Sequence, residues 1–209
     1  MEKYIKLTVS FIKRQYYPHL LLTILFAVCS GGFVSFKGLG DTQAAKAMEM
    51  YVAFAGILLF VPLFMPEQDK DIWDLERSKG MPMWKVYLPR LLLASVCCLS
   101  VIALFLGIMV NGGGTFHAFL LFRGACCEIF FLGSIGYFTS AVTNQAVIGY
   151  MLAVIYFAVN LGGAKYLGNF ALFQMMRGEY GTWMYWLLAA AALFAAGVAL
   201  RERLAVRNR

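Results

Sequence analysis

Six stretches of this chain stay apolar for longer than a soluble helix or strand needs, and this constrains the fold more than any other feature. They run from about Pro18 to Phe36, Glu49 to Met65, Pro89 to Val110, Thr115 to Val142, Ala146 to Leu161 and Trp183 to Leu200. As helices rising about 1.5 Å per residue, such stretches approach or exceed the ~30 Å hydrocarbon core of a bilayer. Inside that core the backbone finds no water, so only helices and closed barrels can cross it. The runs are continuous rather than the ~10-residue alternating segments of a barrel. The expected fold is therefore an all-α integral membrane protein with six transmembrane helices in a single transmembrane domain, residues 1–209. Composition agrees: 61% of residues are hydrophobic and 14% charged, against about 45–50% and 25% in soluble domains. A soluble enzyme, a nucleic-acid-binding domain and a disordered chain are excluded together.

The charged residues sort by side. With six spans, the N-terminus, the loop 66–90 and the C-terminus share one face of the membrane. They carry thirteen Lys and Arg, whereas the opposite loops carry four: Lys37, Lys46, Lys165 and Arg177. The positive-inside rule then makes both termini cytoplasmic. The net charge of +7 belongs to this asymmetry, and no nucleic-acid partner is expected. Residues 1–17 place Tyr4, Ile5, Thr8, Phe11, Ile12 and Tyr16 on one helical face and Lys3, Lys6, Lys13 and Arg14 on the remaining arc. That pattern predicts an N-terminal interfacial helix lying on the membrane. It lacks the apolar core and cleavage site of a signal peptide.

Chemistry-bearing residues are few. All five cysteines lie in apolar segments, and neighbours such as Cys97 and Cys98 lack the spacing of a redox or zinc motif. The two histidines, His19 and His117, sit near span ends, with no HExxH and no paired carboxylates within a span. No catalytic residue, bound metal or cofactor is expected in this chain, and it is not read as an enzyme.

The informative segment is Pro66-Glu-Gln-Asp-Lys-Asp-Ile-Trp-Asp-Leu-Glu-Arg-Ser-Lys-Gly80-Met-Pro82. Pro66 suits a first helical position, Glu67 and Asp69 favour the positive end of the dipole, and Gly80 and Pro82 supply a stop. A helix over 66–80 is predicted on the cytoplasmic side. It is too short to hold itself in water, so it must pack on the chain's own spans or dock on a partner.

This segment, with "KVYLPRLL" opening span 3 and "FLGSIGYFTSAVTNQAVIGYMLAVIYF" across spans 4 and 5, resembles the membrane (permease) subunit of a type-2 ABC exporter. The resemblance implies that 66–80 is a cytoplasmic coupling helix between spans 2 and 3. Glu67, Asp71, Asp74, Arg77 and Ser78 then face an ATPase, and Trp84, Lys85 and Arg90 anchor the start of span 3 at the interface. It also implies short re-entrant or interfacial helices between spans 5 and 6, where the Gly-rich but apolar residues 162–181 fall. The chain has no G-x-x-x-x-G-K-[ST] phosphate loop, so ATP and magnesium belong to separate ATPase subunits, two copies, working with a second permease subunit, the same or different. The expected setting is the inner membrane of a prokaryotic cell. The implied function is export of an amphipathic, peptide or lipid-like substrate by alternating access. A structural membrane protein docking a cytoplasmic partner and a stand-alone secondary transporter are the alternatives. Within the spans, Glu128 and Asn160 are candidates for a transport path or for structural hydrogen bonds, and Arg123 for snorkelling to the outer interface.

Overall fold

The computed structural model describes residues 10–33, 36–69, 71–73 and 82–207. It is all-helical, with no strand among the described residues. The long helices are α1 (Tyr17–Phe33), α2 (Asp41–Phe64), α3 (Trp84–Asn111), α4 (Ala118–Thr143), α5 (Ala146–Leu167) and α6 (Trp183–Arg207). Five of them, α2 to α6, are long and apolar enough to cross a membrane, while α1 is apolar but shorter.

Successive helices run antiparallel, so the bundle has two ends. One end, here the basic end, gathers Lys13, Lys85, Arg90, Arg201 and Arg203; the far end gathers Lys37, Lys46 and Arg177. α4 is the central helix and touches α2, α3, α5 and α6. α2 is the most enclosed, with 78% of its apolar window buried against 22% for α3 and α6. The peripheral helices keep Leu92, Val96, Leu104, Val154, Ile155 and Leu188 on the outside, as an apolar solvent allows.

Several boundaries differ from the sequence expectation. The amphipathic start and the first apolar run are not separated at residue 17. Helix continues from Ser10 through Phe33, with a π-turn over Ile12–Tyr16. That turn ends just before Pro18, which has no N–H to give the ladder, and such widened turns accommodate the mismatch. Residues 1–9 of the expected interfacial helix lie outside the described residues. α2 begins at Asp41, eight residues before the expected Glu49. Gly40 is extended, Asp41 stands at the positive end of the helix dipole, and its Oδ1 accepts the His117 N–H at 3.0 Å. Ala44, Ala45 and Ala47 are buried helix formers, so the sequence between Lys37 and Lys46 is helical in its second half. α5 runs on to Leu167 and α6 to Arg207, both past their expected ends.

α2 changes pitch twice, with a π-turn over Met48–Val52 and a 3-10 turn over Val61–Phe64. Pro62 and Pro66 remove two donors there, and carbonyls near the basic end lose their helical partners. Tyr16 donates its hydroxyl to the Leu59 carbonyl at 3.0 Å, and Arg90 donates to the Leu63 carbonyl at 3.2 Å. At the far end, α3 stops at Asn111, and the Gly112 carbonyl accepts from the Gly38 N–H at 2.9 Å.

Close helix approach rests on small residues. A Cβ added at Gly56 of α2 would lie 2.4 Å from the Ile129 carbonyl oxygen of α4. Gly107 of α3 faces open space instead. Gly56→Ala is therefore expected to destabilise the protein by about 1–3 kcal/mol through overpacking, whereas Gly107→Ala is neutral or stabilising by up to about 1 kcal/mol. Thermal unfolding of the two variants in detergent checks this; equal shifts would contradict the packing shown.

Candidate functional site

Two buried polar clusters stand out, one at each end of α2. At the basic end, a 3-10 turn over Pro66–Gln68 carries Glu67 inward. Its carboxylate pairs with Arg90 at 2.5 Å, and both side chains are almost wholly buried. Arg90 lies over the Phe11 ring at 4.5 Å, so the pair also touches the helix leading into α1. Beside it, Arg201 of α6 donates to Asn144 Oδ1 at 2.7 Å and to the Ser140 carbonyl at 3.1 Å. Asn144 ends α4 in the left-handed conformation, which Asn tolerates. Phe64 fills the space between, with Arg201 5.0 Å above its ring and the Tyr137 ring 4.4 Å away. The cluster ties α2, α3, α4 and α6 together at the start of the charged segment.

The sequence-predicted docking residues separate accordingly. Glu67 is inside, not on the surface. Asp71 is exposed on a short helical stretch over 71–73, and its N–H donates to Asp69 Oδ1 at 2.9 Å. Asp74, Arg77 and Ser78 lie outside the described residues. Of the expected anchors, Trp84 and Lys85 are exposed at the start of α3, with the Lys85 ammonium 5.5 Å from the Trp84 ring. The Trp84 N–H donates to Glu202 of α6 at 3.1 Å, which caps α3. Arg90 turns inward because Glu67 neutralises it there.

At the far end, the chain between α5 and α6 does not stay on the surface. Two 3-10 turns, Gly168–Phe170 and Met175–Arg177, flank Ala171–Gln174, and residues 171–175 are all buried. Three side chains hold this turn segment. Asn160 of α5 accepts the Leu172 N–H at 2.7 Å and donates to the Tyr156 carbonyl at 2.8 Å. Glu49 of α2 accepts the N–H groups of Met175 and Met176 at 2.7 and 3.0 Å, one on each oxygen. Gln174 accepts a hydrogen bond from the Thr182 hydroxyl. Met175 seats its thioether over Gly124 of α4, where a Cβ would meet the sulfur at 2.1 Å. Phe173 is held at φ 62. A bulky residue in that region costs on the order of 1–3 kcal/mol and persists only under surrounding constraint.

Glu128 of α4 lies beneath this segment, 1% exposed, and neither carboxyl oxygen has a hydrogen-bond partner. Asn160 is an anchor of the turn segment rather than a lone polar group. Arg123 sits near the far end of α4 with its guanidinium 4.9 Å from the Trp183 ring. Outside the spans, Tyr180 faces both Asp41 and Glu49; burial and those carboxylates push its phenol above its ordinary value. Glu49 belongs to this cluster although nothing in the sequence singles it out. An acid at the first position of an apolar run reads as the boundary of a span. Apolar space is also present: a groove of about 320 Å³ between α1 and α3 is lined by side chains such as Ile24, Val28, Leu104 and Phe105. Among the described residues no group of His, Cys, Asp and Glu could hold a metal ion.

No family model, curated protein or solved structure matches the chain.

The Glu67–Arg90 pair is testable without an activity. Arg90→Met leaves a buried carboxylate uncompensated and is expected to cost about 3–5 kcal/mol. Adding Glu67→Leu to it removes the stranded charge and is expected to restore most of that loss. Apparent unfolding midpoints of both variants in detergent check the sign; a double variant as unstable as Arg90→Met contradicts it.

Proposed function

We propose that this chain is the membrane-embedded permease subunit of an ATP-driven exporter of the type-2 ABC class. It moves an amphipathic, peptide or lipid-like substrate out of the cytoplasm by alternating access. In this reading α1 is the first of six spans, the basic end is cytoplasmic, and the membrane is the inner membrane of a prokaryotic cell. The segment from Pro66 to Gly80 is the coupling segment. It is not one helix from Pro66, as the sequence suggests, because the 3-10 turn over Pro66–Gln68 ends at an extended Asp69 before helix resumes at Asp71. The turn segment 168–177 is the re-entrant element between spans 5 and 6. Two ATPase subunits hold ATP and magnesium, and a second permease subunit completes the path.

The observation that carries this reading is the Glu67–Arg90 pair. A docking helix transmits work only if its root moves with the spans. Here the first turn of the charged segment is fixed to α3 by a buried pair at 2.5 Å and, through Arg90, to the Leu63 carbonyl of α2. ATP-dependent closure of a partner acts on the segment from Asp71 onward, and the pair passes the displacement to α2 and α3. The free energy comes from contacts that differ between the two states of the ATPase, since a ligand shifts an equilibrium only by its differential affinity. Glu67 is thereby a transmitting residue, and Asp71, Asp74, Arg77 and Ser78 are left as the docking set. Glu128 remains a candidate for the path. The apolar groove between α1 and α3 favours a substrate with an acyl or apolar moiety over a small ion.

The test is purification of the tagged chain from its own membrane in mild detergent. A stoichiometric nucleotide-binding subunit is expected to accompany it. Asp71→Lys combined with Asp74→Lys is expected to weaken that association by about tenfold or more, the scale of losing one or two interfacial charge pairs. The doubly substituted protein still inserts. An intact complex in that variant overturns the docking assignment, and no ATPase in any detergent overturns the exporter reading in favour of a stand-alone or structural membrane protein.

A further inference from the structure

Glu49 and Glu128 come from neighbouring helices, α2 and α4. Glu49 holds the Met175 and Met176 amides of the turn segment 168–177, and the segment packs on α4 to either side of Glu128, Met175 on Gly124 and Phe170 on Phe131. Their hydrogen-bonding states differ. Each oxygen of Glu49 accepts a backbone N–H, from Met175 and Met176. That is the pattern of an ionised carboxylate, which offers acceptors only. Glu128 accepts no hydrogen bond, although it is buried to 1%; the Phe173 N–H lies nearby without closing one.

The charges around the pair do not compensate Glu128. Across the turn segment from Glu128 stands Glu49, which is also an acid. Arg177, at the end of the turn segment, is exposed and acts on Glu49. Arg123, on the same helix as Glu128, stacks on Trp183. Lys46 of α2 is exposed. Tyr156 of α5 faces Glu128, but its hydroxyl donates to the Phe170 carbonyl at 2.5 Å. Tyr180 faces Glu49 and Asp41. Two carboxylates without a cation between them do not both stay ionised in a dry interior. The acceptor pattern decides which one is charged.

We propose that Glu128 is a proton-binding site. It carries the proton while Glu49 stays ionised and holds the turn segment in place. When Glu128 releases its proton to water admitted from the far end, two negative charges face each other beneath the segment. The Met175 and Met176 amides then leave Glu49, and the strain at Phe173 is relieved with them. Rebinding of one proton reseats the segment. The ligand is a proton, and the segment between α5 and α6 is the element that responds. This goes beyond the exporter reading, which gives Glu128 no ligand, and it does not depend on an ATPase.

The test uses the full chain in phosphatidylcholine–phosphatidylglycerol nanodiscs, with two readouts. Infrared difference spectra are expected to show a protonated-carboxyl carbonyl band at neutral pH that disappears in alkaline buffer and is missing in E128Q. Amide hydrogen exchange at Met175 and Met176, corrected for intrinsic rates, is expected to rise by about tenfold or more across the same titration in the wild-type protein. In E128Q, whose side chain is neutral and of similar size, it is expected to stay flat. A band that survives in E128Q, or exchange equally pH-dependent in both proteins, overturns the proposal. Loss of the band on adding sodium at constant pH overturns it in favour of a metal-cation site. Should E128Q fail to insert, the wild-type titration decides alone, because absence of the band at neutral pH also overturns it.

Discussion

The structure depends on one constraint: in an apolar bundle, every backbone group released by a change of helical pitch must find a partner inside the protein. α2 changes pitch twice, α4 ends in a left-handed Asn144, and the chain between α5 and α6 turns inside the bundle. Each event frees carbonyls or N–H groups. Tyr16, Arg90 and Arg201 donate to the carbonyls of Leu59, Leu63 and Ser140. Glu49 and Asn160 accept the N–H groups of Met175, Met176 and Leu172. These five buried polar side chains thus answer for irregular backbone, and the irregular backbone is why they are retained in an apolar interior. Two buried acids do not fit that account: Glu67 pairs with Arg90, and neither oxygen of Glu128 has a hydrogen-bond partner.

Packing supplies the closeness that these bonds need. Gly56 and Gly133 meet between α2 and α4, and Gly136 and Gly149 meet between α4 and α5. Aromatic rings fill the remaining gaps toward the basic end. Phe60, Phe194, Tyr137, Phe64 and Tyr87 form a chain with successive centroids 4.4–5.1 Å apart. Two rings of that chain face guanidinium groups, Phe64 under Arg201 at 5.0 Å and Tyr87 beside Arg90 at 5.9 Å, contacts that suit such groups taken out of water. The small residues of α6 follow the same rule, with Gly197 set against the Tyr137 ring.

The helical class was legible because apolar length is a direct consequence of bilayer thickness. α4 lies close to where its apolar run places it, and α3 and α6 contain theirs and run beyond, from Trp84 and to Arg207. The start of α2 was not legible, because Asp41 to Lys46 reads as polar loop while its alanines pack as helix. The continuity through Pro18 was hidden for a related reason: proline signals a boundary, and the π-turn that accommodates it leaves no mark in hydropathy. Glu67 illustrates a further limit. Its position in a charged run suggests solvent, and only the fold shows that the 3-10 turn after Pro66 aims it at Arg90, twenty-three residues away. Glu49 and Glu128 could each be seen as an acid in an apolar stretch, yet nothing in the sequence says that they face the same segment.

The two clusters are the two ends of one rod. α2 carries Glu49 in its π-turn toward the far end, and its last carbonyls, with Glu67 just beyond them, meet Arg90 at the basic end. It is also the most enclosed helix, gripped along its length by α4 through contacts that admit no Cβ at Gly56. A close-packed helix of this kind moves as a body rather than bending along its length. The departures from regular helix sit where α2 meets these clusters, at Met48–Val52 and at Val61–Phe64. Those are the places where a rod can take up a change of register while its middle stays locked against α4.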